Sequence, residues 1–387
     1  MVLISVAVVL GAVFGIYWTA QIVFVHLHLR WTNARVPSDE SDEGTAVTVI
    51  HPTKDLDHEQ YLNFESWLRQ DYRGRVQHIF SFQDPSDPAI ANVERLKGTF
   101  PSADIATIAN PLIDGLNGKS SNMVHAMGVA KHAVVLFGDS DTRVRPDFIL
   151  KMVRPLRDER VGVTTCGQVN IGGRDFWTRF FTFLQNCETD FNWAFLTKLG
   201  MDVGITGAAF AMRKALIEQI GGLQRFGGSL LEDMFLGNLL YREKFGIVLG
   251  PFVECHVDRF DRSKAMNYVK RLAIGIRRHI ALEMPVFILM LSWYWLLLIA
   301  GLLARNRTVV LLALAFLALR VVLGLVQRVV TMNRVRLVDV AMPLFFDLLG
   351  TFFLLVSFRT PYVTWRGIRY KVGRGGDIEE ISFEKIR

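Results

Sequence analysis

The chain has 387 residues, which is long enough for a catalytic domain and several membrane segments, since single domains usually hold about 100 to 200 residues. A hydrophobic fraction of 51%, concentrated at both ends, indicates a membrane protein and argues against a purely soluble one. The net charge of +7 comes from basic residues beside the apolar runs, which favours anionic lipid headgroups over nucleic acid as the partner. The three cysteines lack a CxxC spacing for zinc and indicate a reducing compartment.

The first predicted element is an apolar anchor within residues 1–30. The stretch from Val2 to Leu29 exceeds the roughly 20 apolar residues that cross a bilayer. Because it has neither a charged start nor a small-residue cleavage site, we predict an anchor rather than a signal peptide. Arg30 and Arg35 follow directly, so the positive-inside rule predicts a cytoplasmic domain next, at the inner membrane if the cell is bacterial.

Residues 44–260 alternate short β-branched runs with helical patterns, which predicts an α/β domain with a mostly parallel, nucleotide-binding sheet. Two helices are predicted between the strands, at Gln60–Arg69 and Asn122–Lys131. The predicted strands are Val47–His51, Val76–Ser81, Ala103–Ile108, Ala133–Phe137, Val161–Cys166 and Ile247–Cys255.

A basic amphipathic helix is predicted at 261–283, where arginines and lysines interleave with isoleucines and leucines as in helices that lie in the membrane interface. Three apolar segments within 284–360 and a polar tail, 361–387, follow. Three crossings would leave the basic tail outside the cell, so we expect one segment to be re-entrant. The last is the best candidate because Pro343 and Asp347 interrupt it. The apolar segments are Met284–Leu303, Thr308–Val330 and Val338–Phe358.

The string VVLFGDSDTRV sends an apolar strand directly into Asp139 and Asp141. Ligands of open α/β sheets bind beyond the carboxyl ends of strands. Two carboxylates at i and i+2 can share a divalent cation, Mg or Mn, which can bridge the phosphates of a nucleotide sugar. The alternative is a solvated turn or helix cap.

The string LLEDMFLGNLL places Glu232 and Asp233 on an apolar helical background. A carboxylate in such surroundings needs a partner or a task, and one with a pKa near neutrality can deprotonate an attacking hydroxyl. Both residues are therefore candidate catalytic groups. The alternative is that they stabilise a helix N-terminus through its dipole.

Four weaker signals complete the candidate site. Asp84 follows a predicted strand and can bind the base or ribose of a nucleotide. Lys119 precedes a helix start, where an ammonium and free amides can meet an anion, although a surface charge would look the same. The small residues 207–209 permit close approach to a ligand, or tight packing. His256 follows a strand and can be a third metal ligand or simply a hydrogen-bonded histidine.

The order of these strings resembles the ceramide glucosyltransferase family, a branch of the inverting family 2 glycosyltransferases, and is also similar to hopanoid-associated glycosyltransferases. The resemblance spans Val47 to Arg278. It implies a GT-A fold, an α/β Rossmann-like nucleotide-sugar-binding domain, with transmembrane helices at both ends. The strings are VTVIHPTKDLD, ESWLRQDY, SFQDPSDPAI, NGKSSNM, GDSDTRVRPD, TGAAFAMRKALIEQIGG and LLEDMFLG.

Residue by residue, the resemblance implies that Asp84 belongs to the nucleotide site and that Asp139, with Asp141 beside it, belongs to the metal site. Asp233 matches the catalytic base. Lys119 falls in an NPK-like string in which glycine replaces the proline.

One departure concerns the (R/Q)xxRW string that the family carries near the membrane. This chain has no such tryptophan. The nearest fits are YVKRL, with Arg271, and GIRRH, with Arg278, so both arginines are candidate donor contacts.

The sequence thus predicts an inverting, metal-assisted transfer of a hexose from a UDP-sugar to a membrane-lipid hydroxyl, which forms a β-glycoside. The partners would be the donor, the lipid acceptor and the bilayer, with no nucleic acid. The alternatives are a hopanoid or diacylglycerol glycosyltransferase, a processive polysaccharide synthase, and a non-catalytic membrane protein that binds nucleotide sugars.

Overall fold

The computed structural model describes residues 2–36, 44–113, 117–200, 204–229, 231–279, 284–332, 335–365, 368–373 and 377–383. Eight strands form one sheet in the order β3-β2-β1-β4-β7-β6-β8-β5, and three more form a small antiparallel sheet near the C-terminus. The strands are β1 (Val47–Pro52), β2 (Val76–Phe82), β3 (Asp104–Ala109), β4 (Val134–Gly138), β5 (Thr142–Arg143), β6 (Val161–Ile171), β7 (Ala209–Arg213), β8 (Gly246–His256), β9 (Tyr362–Trp365), β10 (Ile368–Val372) and β11 (Ile378–Phe383).

The helices follow the same chain order. A π-helical segment, Leu184–Thr189, joins two of them, and 3-10 turns lie at Arg154–Arg157, Leu337–Val340 and Ser357–Arg359. The α-helices are α1 (Val2–Asn33), α2 (Gln60–Leu68), α3 (Ile90–Thr99), α4 (Gly118–Met127), α5 (Phe148–Val153), α6 (Phe176–Phe183), α7 (Asp190–Lys198), α8 (Lys214–Gln219), α9 (Gln224–Gly227), α10 (Glu232–Arg242), α11 (Arg262–His279), α12 (Met284–Leu303), α13 (Arg307–Met332) and α14 (Met342–Val356).

The large sheet is mixed but mostly parallel, as expected, because six of its eight strands run in one direction. Strands β3, β2, β1 and β4 run parallel, as do β6 and β8. Strand β7 runs antiparallel between β4 and β6, and β5 runs antiparallel to β8. The sequence did not reveal β7 because its five residues follow a run of small side chains and lead straight into α8.

The strands of the sheet have apolar cores on both faces, which explains their continuous apolar runs. On β1, Val49 belongs to a core with Trp67 of α2 and Phe148 of α5, whereas Ile50 faces a second core with Met123 of α4. Alternate residues of a strand point to opposite faces. The sheet is therefore sandwiched between two helical layers, and its carboxyl-terminal edge is left for loops.

Apolar helices at both ends of the chain confirm the predicted membrane segments. Within the described residues, three helices are long and apolar enough to cross a membrane: Ile4–Asn33, Arg307–Met332 and Met342–Arg359. A shorter apolar helix covers Ile288–Leu303. The predicted interface helix is α11, which begins at Arg262, within one residue of the predicted start.

Helix α14 has both of its ends against the catalytic domain. Just before it, Asp339 accepts a hydrogen bond of 2.9 Å from Arg179 of α6. Just after it, the small sheet packs on Ile274 of α11. The chain then returns to the large domain, where the Ile378 amide donates to the Gly228 carbonyl at 2.7 Å. The tail therefore lies on the same side of the membrane helices as the large sheet.

Candidate active site

The two carboxylates of the DSD string lie where β4 ends, at the carboxyl-terminal edge of the sheet. The Asp139 amide donates to the Ala208 carbonyl at 2.9 Å, and the Thr142 hydroxyl donates to the Asp139 carbonyl at 2.6 Å. Between the two carboxylates, the Ser140 hydroxyl donates to Asp57. These bonds fix the backbone of the turn, so the carboxylates are held in place before any ligand arrives.

Lys119 lies at the centre of the site, in the first turn of α4. Its ammonium is 2.7 Å from Asp139 Oδ1 and 3.9 Å from Glu232 Oε1, and it donates to the Gly207 carbonyl at 2.6 Å. Burial opposes the charged form, but the negative charges of Asp139 and Glu232 outweigh it and raise the pKa of Lys119. The candidate anion contact therefore stays cationic at every physiological pH.

Asn117 connects the Lys119 helix to the candidate base helix. Its side chain caps α4 by accepting a bond of 2.8 Å from the Ser120 amide, so the helix begins four residues before its predicted start. Its amide group donates to Glu232 Oε2 at 3.2 Å and to the Ser229 carbonyl at 3.1 Å. The sequence offered only a local cap signal here, because the contact with α10 joins residues more than 100 positions apart.

Glu232 is buried, and Asp233 beside it is partly exposed. Burial, and then the charge of Asp233, raises the pKa of Glu232 to about 7, although Lys119 opposes this shift. A Cβ on Gly207 would lie 2.8 Å from the Lys119 ammonium and 3.1 Å from Asp233 Oδ2. Glycine at position 207 therefore permits tight packing of the lysine and the carboxylate, which was one of the two alternatives for the small residues, and a close approach to a ligand stays a prediction.

A cleft opens over this cluster. Its wall includes the DSD turn, Lys119, the ends of β1 and β2, and Gln83, whose side-chain amide donates to the Gly118 carbonyl at 2.8 Å. The lining residues are Pro52, Thr53, Lys54, Gln83, Gly118, Lys119, Asn122, Asp139, Ser140, Asp141 and Tyr370.

Asp84 lies one residue beyond Gln83, exposed at the end of β2. It accepts hydrogen bonds from the Ser86 amide at 2.8 Å and from the Ser86 hydroxyl at 2.6 Å. These bonds hold its pKa below the ordinary value of an aspartate. The nucleotide role of Asp84 stays a prediction, with Gln83 as the neighbour that lines the cleft.

His256 ends β8, and the antiparallel register of β8 with β5 pairs Thr142 with Cys255. Continued by one residue, that register sets His256 opposite Asp141. Its ring nitrogens lie 3.2 Å from Glu254 and 3.4 Å from Glu59. Among the described residues, no three histidine, cysteine or acidic side chains are grouped as a complete metal site. Two hard carboxylates fit Mg or Mn when phosphate oxygens and water supply the other ligands.

Arg271 and Arg278 are the two candidate arginines of α11, and the structure relates Arg271 to the cleft. The Arg271 guanidinium lies 5.0 Å from the centre of the Tyr268 ring, and its charge acts on Tyr370 in the cleft wall. The side chain of Arg278 lies outside the described residues. Of the two nearest fits to the RW string, the structure therefore favours YVKRL, which contains Arg271.

Asp190, a further buried carboxyl, was missed by the sequence reasoning. It begins α7, directly after the π-helical segment, a feature that often marks functional sites. Among the described residues its Oδ2 atom has no hydrogen-bond partner. Burial, and then the charge of Asp233, raises its pKa well above the ordinary value, although Gln168 opposes this. Its neighbours in the sequence, Thr189 and Phe191, gave no signal of a buried carboxyl.

The sheet, the DSD turn at its carboxyl-terminal edge and the terminal apolar helices define a membrane-associated GT-A domain, which confirms the predicted fold class. Residues 9–378 match the model of Glycosyl transferase family 21. The chain belongs to that family. The resemblance to ceramide glucosyltransferases and the prediction of a glycosyltransferase are confirmed at this level.

Individual relatives align with only part of the chain. Ceramide glucosyltransferase 3 of Caenorhabditis elegans is 29% identical over 208 residues, which is 53% of this chain and 44% of that protein. Ceramide glucosyltransferase 1 of the same organism is 28% identical over 50% of this chain and 41% of its own length. The alignments thus span less than half of these curated relatives. A mannosyltransferase from Pyrobaculum calidifontis, solved with GDP-Man and Mn2+, covers 92% of this chain and 98% of its own at 17% identity, with a TM-score of 0.48.

Proposed function

We propose that this protein transfers a hexose from a UDP-sugar to the hydroxyl of a ceramide-like membrane lipid, with inversion and with the help of a divalent cation. The observation that carries the proposal is a cleft in which Lys119 pairs with Asp139 at 2.7 Å, with Asp233 near the same lysine at Gly207. Membership of family 21 and the ceramide glucosyltransferase relatives support the lipid acceptor.

The donor would lie with its nucleotide toward Asp84 and its diphosphate toward Lys119. Asp139 and Asp141, with His256 as a third candidate ligand, would hold the cation. When bound, Mg or Mn would neutralise charge that develops on the departing diphosphate. The Lys119 ammonium would add to this stabilisation, and Arg271 is the candidate cation of the interface helix.

Asp233 would take the proton of the acceptor hydroxyl as that oxygen attacks the sugar carbon from the face opposite the diphosphate. A single displacement inverts the anomeric carbon, so an α-linked donor gives a β-glycoside. Glu232 is buried and bonded to Asn117, which makes it the less accessible of the two acids. We therefore assign the base to Asp233 and a supporting charge to Glu232.

The proposed topology follows from both ends of the chain. Arg30 and Arg35 after α1 support a cytoplasmic position for the catalytic domain. Helix α12 would cross outward and α13 would return, while α14 would enter and leave on the cytoplasmic side, because both of its ends contact the catalytic domain. This re-entrant course keeps the basic tail inside. A lipid held by these helices would present its hydroxyl without leaving the bilayer.

The test combines the purified full-length protein in nanodiscs with labelled UDP-sugars, Mn2+ or Mg2+ and a lipid extract, followed by mass spectrometry. We expect one hexose on a lipid, and no product in EDTA. Asp233→Asn should lower the transfer rate by about 10²- to 10⁴-fold while UDP affinity changes less than about twofold.

Asp104→Asn is the matched control, because this exposed aspartate pairs only across the surface with Lys131, at 2.7 Å. It should transfer at the wild-type rate. Wild-type turnover by Asp233→Asn would refute the base assignment, and a growing polymer instead of a single glycolipid would refute the proposed acceptor.

A further inference from the structure

The cleft has one wall residue from the far end of the chain. Tyr370 of β10 lines it together with Lys54, Lys119 and Asp139, although some 230 residues separate it from the DSD turn. Its side chain is almost fully buried, with a relative exposure of 2%. The tail that the sequence shows only as polar is therefore part of the nucleotide cleft.

The small sheet that carries Tyr370 is fixed from two sides. Tyr370 itself packs in a core with Val363 and Val372 against Ile274 of α11. On the other side, the β11 strand bonds to the loop before α10, with the Ile378 amide donating to the Gly228 carbonyl at 2.7 Å. The same sheet thus contacts both the interface helix and the loop before the candidate base helix. These two contacts fix its position beside the cleft.

The chemistry around Tyr370 shows which part of the donor it would meet. Burial, and then the charge of Glu232, raises the pKa of the Tyr370 hydroxyl to about 12, while Arg271 opposes this. Tyr370 lines the cleft together with Lys119 and Asp139, and Glu232 lies 3.9 Å from that lysine. A phenol that keeps its proton there can donate a hydrogen bond to a diphosphate bound at Lys119.

We propose that the Tyr370 hydroxyl donates a hydrogen bond to the diphosphate of the nucleotide-sugar donor, and that the C-terminal sheet is the wall that closes the donor cleft. This inference rests on the proposed function, because it adds a binding residue to the same site. It predicts a contact with the second phosphate that a nucleoside monophosphate cannot make.

The experiment is calorimetric binding of UMP and of UDP to the full-length protein in nanodiscs with Mn2+. A hydrogen bond to a charged group is among the stronger ones, so Tyr370→Phe should weaken UDP binding about tenfold. UMP binding should change less than about twofold. Phenylalanine keeps the apolar contacts with Ile274, so the fold should survive, and a thermal unfolding curve would verify this.

Tyr362→Phe is the matched control, since this tyrosine lies on the neighbouring strand β9 with the Arg369 guanidinium 4.3 Å from its ring centre. It should bind both nucleotides as wild type does. If wild type binds UDP and Tyr370→Phe binds it equally well, or loses UMP to the same extent, the inference is wrong and the proposed function stands. If wild type binds no uridine nucleotide, the proposed function fails and the inference fails with it.

Discussion

Two clusters of buried charge among the described residues differ in whether a ligand can reach them. The cleft cluster comprises Lys119, Asp139, Glu232 and Asp233 at the edge of the large sheet. The membrane cluster comprises Glu188, Tyr294, Arg320 and Asp347, which meet among the apolar helices. Both remove ionised groups from bulk water, which costs free energy unless they are paired.

The membrane cluster is closed. Asp347 and Arg320 have no exposed side-chain surface, and Arg320 donates to both Asp347 oxygens, at 3.0 and 3.1 Å. The Tyr294 hydroxyl also donates to Asp347, and Glu188 lies 2.6 Å from Arg320. The carboxylate of Asp347 is thus bonded by protein donors on both oxygens. Such a cluster ties α12, α13 and α14 to the π-helical segment and leaves no room for a ligand.

The cleft cluster is open. The side chain of Asp139 keeps 31% of its surface exposed and that of Lys119 keeps 13%. Several carboxylates gather there around the Lys119 ammonium, so a cation and a diphosphate can add to the cluster. The comparison teaches that burial of charge alone does not identify a catalytic site. Access from a cleft is what sets the candidate active site apart.

The largest effect that we expect comes from opening the membrane cluster. Asp347→Ala leaves Arg320 buried with one partner fewer, and loss of one member of a buried ion pair costs about 3–5 kcal/mol. The midpoint of thermal unfolding in detergent should fall by about 4–6 °C. Replacing the whole cluster by apolar or neutral groups, with Glu188→Gln, Arg320→Met and Asp347→Leu, should recover most of the loss.

Asp104→Ala is the control for that prediction, because it removes an exposed pair whose side chains are 45% and 58% exposed. It should lower the stability by less than about 1 kcal/mol. If Asp347→Ala lowered the stability as little as Asp104→Ala, the membrane cluster would not be a structural unit.

Much of the catalytic layer follows from local sequence. The six predicted strands all exist, and most of their ends agree within two residues, because β-branched runs such as Val47–Pro52 are buried on both faces. Asp139 and Asp141 of the DSD turn also lie near Glu232 and Asp233. The contacts that bring these pairs together are long-range, because Lys119 and Asn117 approach α10 only in the folded chain.

The tail shows what the sequence could not reveal. Strands β9 to β11 are short, and they pack on Ile274 and pair beside Gly228. Strand β10 does alternate apolar and basic residues from Ile368 to Val372, which indicates a strand. The two long-range contacts leave no local pattern, so Tyr370 had no signal as a cleft residue. The partners of Arg320 were equally hidden, although Asp347 within an apolar segment did indicate that something unusual happens there.

A smaller effect on stability, but a large one on activity, should follow from removing the lysine of the cleft cluster. Lys119→Met deletes the cation that faces Asp139, and transfer should fall about 100-fold or more because the departing diphosphate loses a fixed positive charge. Unfolding temperature should change by less than about 3 °C, since Asp139 is partly hydrated and Glu232 can hold its proton. Lys131→Met, on an exposed pair, should leave both quantities unchanged. A fall in stability as large as that of Asp347→Ala would contradict the distinction between the clusters.

The smallest expected effect is a pH dependence that belongs to the cleft cluster. The pKa of Glu232 is raised from 4.5 to about 7 in the folded protein, by burial and then by Asp233, so the folded state binds the proton more tightly. Its stabilising contribution is complete below pH 4.5 and is lost as pH rises through 7. Lys119, Asp139, Asp233 and Tyr370 face this group and set the size of the effect. With EDTA present, the unfolding temperature of wild type should fall between about pH 5.5 and 7.5 more than that of Glu232→Gln, which carries no titrating group there. Parallel pH curves for the two proteins would show that Glu232 is already ionised in the folded state.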